Sequence, residues 1–327
     1  MGYILGIDQG SSKTHVIIGD YQGNLLGTGK SYGACHSVSG LSYAMGAISQ
    51  AVQQAFSESG LSWKDVSILA AGLTGVDWDY ETELLTKELR QCSGVQDILV
   101  KNDCIIAMRA GTMSKYRSVI CAGSGLNCAI HKSEEEEFVL GFYIENEFQG
   151  GFGLGKACLK KVFASEIGLE KATVLTKMLL EYFHAETVDD LLHMRTVGKI
   201  SHDQYLYLPI LLEQAALMND SVALSIWESF GTQYGKYIVS GLRRMELLGE
   251  ESEVVVSGSI FKCKSPALKQ AVEREIMQYA PRAKIIDAEF EPVVGAYLLG
   301  LDHQSGVEFD IHNLTLRESA EKYGLFR

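Results

Sequence analysis

Apolar residues fall into short runs separated by small polar ones along most of the chain. Residues 3–7 and 15–18 are two apolar, β-branched runs around a small polar turn, the pattern of a β-hairpin. Residues 24–29 give a third strand. Residues 41–57 repeat Ala, Met, Ile, Val and Phe at three- and four-residue spacing and stop at Ser59-Gly60, which predicts a helix. A buried-type strand at 66–73 follows, then the loop Thr74-Gly75-Val76-Asp77, an amphipathic helix at 80–92, a strand at 97–101 and a helix from Cys104 to Gly111. Strands alternating with helices predict a layered α/β domain.

A second apolar pair, 118–122 and 126–130, flanks Gly123-Ser124-Gly125 and echoes the opening hairpin, which suggests an internally duplicated architecture. Residues 134–137 read as a solvated hairpin tip without function. The glycine-rich stretch 145–155 leads into a helix at 156–165 and lacks the βαβ context of a dinucleotide fingerprint. Residues 171–248 are mostly helical, with Pro209 interrupting near a helix start. Strands are expected at 253–256 and 284–287, with an amphipathic helix at 268–279 between them. Residues 292–300 form a small-faced helix opened by Pro292 and suited to close packing on another helix. The segment 302–327 is polar.

The turns carry the chemistry. Around Gly10, Ser11, Ser12 and Lys13 the small side chains let backbone N–H groups approach a phosphate, and Lys13 and Thr14 add a charge and a donor. The spacing is not that of a Walker A loop, and the order is strand–turn–strand. Asp8 ends the first strand, placed to hold a metal ion through water. Asp103 stands where a strand ends and a helix begins, where α/β sheets gather ligands and where Asp also serves as a helix cap. A third glycine/hydroxyl turn, Gly258-Ser259, ends a later strand.

Composition narrows the classes. At 327 residues with 46% hydrophobic content, the chain suits a two-domain globular protein. A net charge of −12 without a Lys/Arg cluster argues against nucleic acid or an anionic membrane as partner. No basic, apolar leader and no membrane-length apolar run is seen, so a cytoplasmic protein is expected. The seven scattered cysteines, without a CxxC, read as reduced core residues.

Taken together, the motifs resemble the acetate kinase/sugar kinase/Hsp70/actin superfamily. More narrowly, they resemble the family that groups N-acetylglucosamine kinases with the BadF/BadG/BcrA/BcrD ATPases. Gly6-Ile7-Asp8-Gln9-Gly10-Ser11-Ser12-Lys13-Thr14 is similar to its first phosphate loop. Asn102-Asp103 resembles its N-D pair, and 122–128, with Asn127, its second phosphate loop. Residues 257–259 resemble its adenosine loop and 292–300 its second connecting helix. The resemblance spans about residues 3–301. It implies a two-lobed, actin-like (ribonuclease H-like) α/β fold with duplicated mixed-sheet domains and a cleft between them. The lobes would be 1–115 and 116–301, with 302–327 packing back on the first.

The resemblance also implies roles. ATP would sit between Gly10, Ser11, Ser12, Lys13, Thr14 and Gly123, Ser124, Gly125, with Gly258 and Ser259 facing adenosine. Asp8 would hold hydrated Mg²⁺, and Asp103 would be the base that activates an amino-sugar hydroxyl. Asn102, Asn127, Glu147, Gly151 and His36 would contact the sugar, and a homodimer is expected. His36 replaces the usual asparagine and Glu147 the usual aspartate, which extends the implied acceptors beyond N-acetylglucosamine to N-acetylmuramic acid or glucosamine. Two other classes compete. A partner-activating ATPase would need an iron–sulfur cluster, for which Cys121, Cys128 and Cys158 lack the setting. A sensor would have lost catalysis, against which the Asn102-Asp103 pair argues.

Overall fold

The structure, a computed structural model, describes residues 2–327. Two five-stranded mixed sheets form its two lobes. The first contains β1 (Tyr3–Gln9), β2 (Lys13–Gly19), β3 (Leu25–Tyr32), β4 (Val66–Leu73) and β5 (Asp97–Asn102), ordered β3-β2-β1-β4-β5. The second contains β6 (Arg117–Ala122), β7 (Leu126–Ser133), β8 (Glu136–Val139), β9 (Ser252–Ser257) and β10 (Ala283–Asp287), ordered β10-β9-β6-β7-β8. Read from the hairpin outwards, the orders coincide. In each sheet a hairpin pairs antiparallel, and two later strands add in parallel. The duplication suggested by the repeated turns is therefore one of whole sheets.

Between β3 and β5 lie α1 (His36–Ser39), α2 (Leu41–Ser59) and α3 (Asp79–Ser93), and α4 (Asp103–Arg109) follows β5. The second lobe inserts α5 (Gly150–Glu166), α6 (Val174–Phe183), α7 (Val188–Thr196), α8 (His202–Leu217) and α9 (Ser221–Arg244) between β8 and β9. The helices α10 (Ala267–Tyr279), α11 (Pro292–Ser305) and α12 (Leu314–Lys322) complete the chain. The α5–α9 insertion makes a large apolar core with the second sheet, centred on Trp227, Phe230 and Tyr234. No described helix is long and apolar enough to cross a membrane.

The helices that link the lobes are exchanged. Cys104, Ile105 and Met108 of α4 pack with Val119, Ala129 and Val255 of the second sheet. Val293, Tyr297 and Leu301 of α11 pack with Ile4, Ile17 and Ile68 of the first. Ile311, Leu316, Ala320 and Leu325 of the final segment join that same first-lobe cluster. The small face of α11 meets α4 as its sequence suggests: a Cβ on Gly295 would stand 1.8 Å from the Ile106 carbonyl oxygen, so only glycine permits the crossing.

Three local expectations need correction. The glycine-rich stretch is not a loop ahead of a helix, because α5 already begins at Gly150. Pro209 lies well inside α8 rather than near its start. Glu137 is no solvated tip residue: it pairs with Lys101 of the first lobe at 2.6 Å and with His131 at 3.1 Å, and its side chain is largely buried. Burial alone would push its carboxyl up, but His131 and Lys101 hold it below the usual range. All seven cysteines are free thiols; Cys92 is exposed and Cys104, Cys128 and Cys158 are fully buried.

Candidate active site

The turn between β1 and β2 is closed by Gly10 N–H donating to the Lys13 carbonyl at 2.9 Å. It is braced from below. A Cβ on Gly33 would fall 2.3 Å from the Ser11 carbonyl, so that segment lies directly against the turn. Thr14 is fully buried; its hydroxyl donates to the Tyr32 carbonyl at 2.9 Å and accepts from Gln9 Nε2 at 3.2 Å. That side chain stiffens the turn instead of facing the cleft. Ser11, Ser12 and Lys13 are exposed at the tip. Across the cleft the β6–β7 turn, Gly123-Ser124-Gly125, answers it, with Ser12 and Ser124 hydroxyls 2.9 Å apart. Two glycine/hydroxyl turns from different sheets thus face one another at hydrogen-bond distance.

The α5 glycines explain how the second turn is held. Gly151 N–H donates to the Gly123 carbonyl at 2.8 Å and Phe152 N–H to the Ser124 carbonyl at 3.1 Å. Gly150 has φ +40°, and a Cβ there would meet the Gly125 carbonyl at 2.1 Å. The helix start therefore butts against the turn, leaving no gap for a side chain. Gly151 is a support for the Gly123–Gly125 turn, not a group aimed at an acceptor. Gln149, which the sequence did not single out, accepts from Leu126 N–H at 3.1 Å beneath the same turn.

Two carboxyl groups reach the cleft from the first sheet. Asp8, at the end of β1, is 6% exposed. Burial raises its pKa from 3.8 to about 7; Lys13 opposes the rise, and Asp103 and Glu291 add to it. Asp103 opens α4. Burial and then the charge of Asp77 raise its pKa to about 6, while a Thr74 side-chain bond and backbone N–H groups hold it back. Lys13 itself pairs with Glu291, at the start of α11, at 2.5 Å, and Lys262 lies 3.5 Å from the same carboxylate.

Among the described residues no group of three or more His, Cys, Asp or Glu side chains is arranged to hold a metal. Asp8 is a single buried carboxyl whose charged form is disfavoured by burial, so a cation beside it would stabilise the carboxylate. Such a donor fits a Mg²⁺ ion that keeps its waters and takes its other ligands from phosphate oxygens.

The second side of the cleft is a side-chain network. Asn102 is 4% exposed; its Oδ1 accepts from Cys104 N–H at 2.9 Å, and its Nδ2 donates to Asp77 Oδ1 at 3.0 Å and to the Val76 carbonyl at 3.1 Å. It caps α4 and aims Asp77, and so has no bond left for an acceptor. Asn127 reaches across from the second lobe, donating to Asn102 Oδ1 at 3.4 Å and accepting from Gly141 N–H at 3.0 Å. Asp77 is the residue the sequence passed over. Burial, then Glu81, raises its pKa, and His36 opposes them. At the mouth, Trp78 of the first lobe stacks on Phe142 of the second with ring centroids 6.1 Å apart, both rings exposed.

Two residues expected to contact the acceptor have ion-pair partners within the chain. The His36 side chain is buried beside Glu81, with Nε2 3.6 Å from its carboxylate, rather than open to the cleft. Glu81 in turn accepts from the N–H groups of Asp77 and Trp78 at 2.8 and 3.0 Å, so His36 supports the 77–78 corner indirectly. Glu147 is exposed and pairs with Lys160 of α5 at 2.9 Å. Gly258 and Ser259 follow β9 on the side of the Gly123–Gly125 turn: a Cβ on Gly258 would lie 2.1 Å from the Ala122 carbonyl.

Comparison with known proteins fits this arrangement. The chain is 25% identical over 312 residues to an N-acetyl-D-glucosamine kinase of Dictyostelium discoideum, covering 91% of this chain and 97% of that one. It is 20% identical to an N-acetylmuramic acid/N-acetylglucosamine kinase of Clostridium acetobutylicum, covering 91% and 98%. A protein of Chromobacterium violaceum proposed to be an N-acetylglucosamine kinase superposes with a TM-score of 0.71 at 17% identity, over 91% of this chain and 99% of that one. The shared fold is the two-lobed, actin-like one. The model of the BadF/BadG/BcrA/BcrD ATPase family matches residues 5–169, half of the chain, and the protein belongs to that family.

Proposed function

We propose that the protein is an ATP-dependent kinase that phosphorylates a hydroxyl of an amino sugar, with Asp103 as the general base. The observation that carries this reading is the meeting of the two glycine turns, Ser12 to Ser124 at 2.9 Å, above a strand-end aspartate of raised pKa. Backbone-rich turns suit phosphoryl transfer, which depends on positioning and charge neutralisation more than on covalent chemistry. Gly10, Ser11, Ser12 and Lys13 would grip the phosphates with Gly123, Ser124 and Gly125, and Gly258 and Ser259 would face the adenosine. Asp8 would hold Mg²⁺, whose charge offsets that of the phosphates.

Asp103 suits a base near neutral pH. A pKa of about 6 leaves it ionised at pH 7–8 while making it a better proton acceptor than an ordinary aspartate. Asp77 and Asn127 would orient the acceptor, and the exposed Trp78–Phe142 pair offers apolar faces to a pyranose ring. The relatives named for N-acetylglucosamine and N-acetylmuramic acid set the acceptor class. With His36 buried against Glu81 and Glu147 paired with Lys160, selection among amino sugars would fall mainly to the 77–78 corner and the 141–142 turn. A cytoplasmic homodimer completes the reading, as for the family it resembles.

The test is ADP release with Mg-ATP against a panel of N-acetylglucosamine, N-acetylmuramic acid, glucosamine, N-acetylmannosamine and glucose. Turnover that depends on an amino sugar is expected. Tight ATP binding without sugar-dependent release would move the reading to a partner-activating ATPase or a sensor.

A further inference from the structure

Arg327 approaches the nucleotide side of the cleft on a strap formed by the last residues of the chain. Phe326 bridges Phe290 in antiparallel fashion, with ring centroids 4.8 Å apart. Glu291 N–H donates to the Leu325 carbonyl at 2.8 Å, and Arg327 N–H donates to the Glu289 carbonyl at 3.0 Å. Leu325 is fully buried in the first-lobe cluster, so the strap is anchored before it reaches the site.

From that anchor the guanidinium turns onto β9. Its Nη1 donates to Ser257 Oγ at 2.6 Å, its Nη2 donates to the Gly258 carbonyl at 3.0 Å, and its Nε stands 4.0 Å from Glu291 Oε1. The side chain is only 10% exposed. Gly258 has φ +101° and rests against Ala122, the residue before the second phosphate turn. Glu291 also holds Lys13 of the first phosphate turn. One planar group therefore lies one contact away from all three turns assigned to the nucleotide.

We propose that Arg327 is a positioning residue for nucleotide binding: it fixes the 257–258 turn against the second phosphate turn and compensates Glu291 when Lys13 is drawn to a phosphate. In the free protein Lys13 is engaged with Glu291, so an incoming polyphosphate must compete for it. Burial alone would push the Glu291 carboxyl up; Lys13 first, then Lys262 and Arg327, keep it ionised. Once Lys13 leaves, the two remaining cations still face Glu291, which lowers the cost of the exchange. A forked guanidinium can hold a hydroxyl, a carbonyl and a carboxylate at once, which a lysine ammonium cannot do in the same geometry.

The inference rests on the reading of this side of the cleft as a nucleotide site, and the experiment separates the two. ADP and a non-hydrolysable ATP analogue are titrated calorimetrically into wild type, Arg327→Ala, Arg327→Lys, Ser257→Ala and Arg317→Ala. Arg317 ties the same terminal segment to Glu289 at 2.6 Å and lies over the Phe290 and Phe326 rings without touching the turns, so Arg317→Ala loosens the strap while leaving the partners of the Arg327 guanidinium in place. Loss of the charge-assisted bonds in Arg327→Ala should weaken both nucleotides about tenfold. The acceptor KM should stay within twofold, Arg327→Lys should fall between the two, and Ser257→Ala should weaken binding about threefold. Arg317→Ala should lower the melting temperature while leaving nucleotide affinity within twofold. Unchanged affinity in folded Arg327→Ala and Ser257→Ala would overturn the role of Arg327 alone. Equal weakening by Arg317→Ala and Arg327→Ala would reduce it to tail docking. A wild type that binds no adenine nucleotide would remove the nucleotide reading, and this proposal with it.

Discussion

The two sides of the cleft are built from different materials. The side proposed for the nucleotide consists of backbone: turns at Gly10, Gly123 and Gly258, held by N–H groups and braced at Gly33, Gly150 and Gly258 by contacts that leave no room for a Cβ. The side proposed for the acceptor consists of side chains: Asp77, Asn102 and Asn127 hydrogen-bonded in one network that spans both lobes, with Asp103 coupled to Asp77 by charge. Backbone recognition is local and changes little with sequence around it. A side-chain network can be retuned one residue at a time, so one scaffold can change what it accepts while leaving backbone turns unaltered.

If the division holds, variants on one side should leave the other intact. The largest effect is expected for Asp103→Asn, which keeps the helix start but removes the base. Its kcat should fall by about 10²–10⁴ while nucleotide affinity stays within twofold. Retained activity would take Asp103 out of the mechanism. On the opposite side, Gly150→Ala should destabilise the fold by about 1–3 kcal/mol in denaturant titrations, because φ +40° and the Gly125 carbonyl both oppose a Cβ. It should raise the KM for ATP more than that for the acceptor, and the reverse order would break the comparison.

A smaller and more selective change is expected for Asp77→Asn. The acceptor KM should rise about tenfold with the KM for ATP unaltered. The Asp77 charge also raises the Asp103 pKa, so removing it should move the acidic limb of kcat/KM from near pH 6 towards lower pH. An unmoved limb would separate the two carboxyls. The smallest effect concerns stability. The folded pKa of Asp8 lies above its unfolded value, so the folded chain retains an extra proton between about pH 4 and 7. Its contribution is present below that window and is lost as pH rises through about 7. Asp8→Asn should accordingly raise the melting temperature of the ligand-free protein at pH 8 by about 2–4 °C, with less gain at pH 5.

The same division governs what could be read from sequence. The hairpins at Gly10 and Gly123 were legible because a turn's chemistry lies within a few residues of itself. The strand-to-helix junction at Asn102-Asp103 was legible for the same reason. Asp77 and Glu291 were not, since each acquires its meaning from a partner far along the chain: Asn102 is 25 residues from Asp77 and Lys13 is 278 from Glu291. His36 and Glu147 resemble family positions, but their partners Glu81 and Lys160 were not legible from the sequence. The glycines at 150–155 misled for a physical reason. Glycine in a helix signals a close neighbour as readily as it signals a loop, and here the neighbours are the second phosphate turn and the Tyr205 carbonyl.

The exchanged helices bear on how the chain becomes a protein. The face of the first sheet that carries Ile4, Ile17 and Ile68 is covered by α11, which is made nearly 190 residues after β5 ends. The second sheet is covered in part by α4, supplied before its own first strand. Each lobe has a core on one face of its sheet, but the other face is completed by the exchanged helix, so the first lobe cannot close that face during synthesis until residues 292–305 have emerged. Unfolding is then a single cooperative event shared by both halves rather than two successive ones, with one calorimetric transition as its signature.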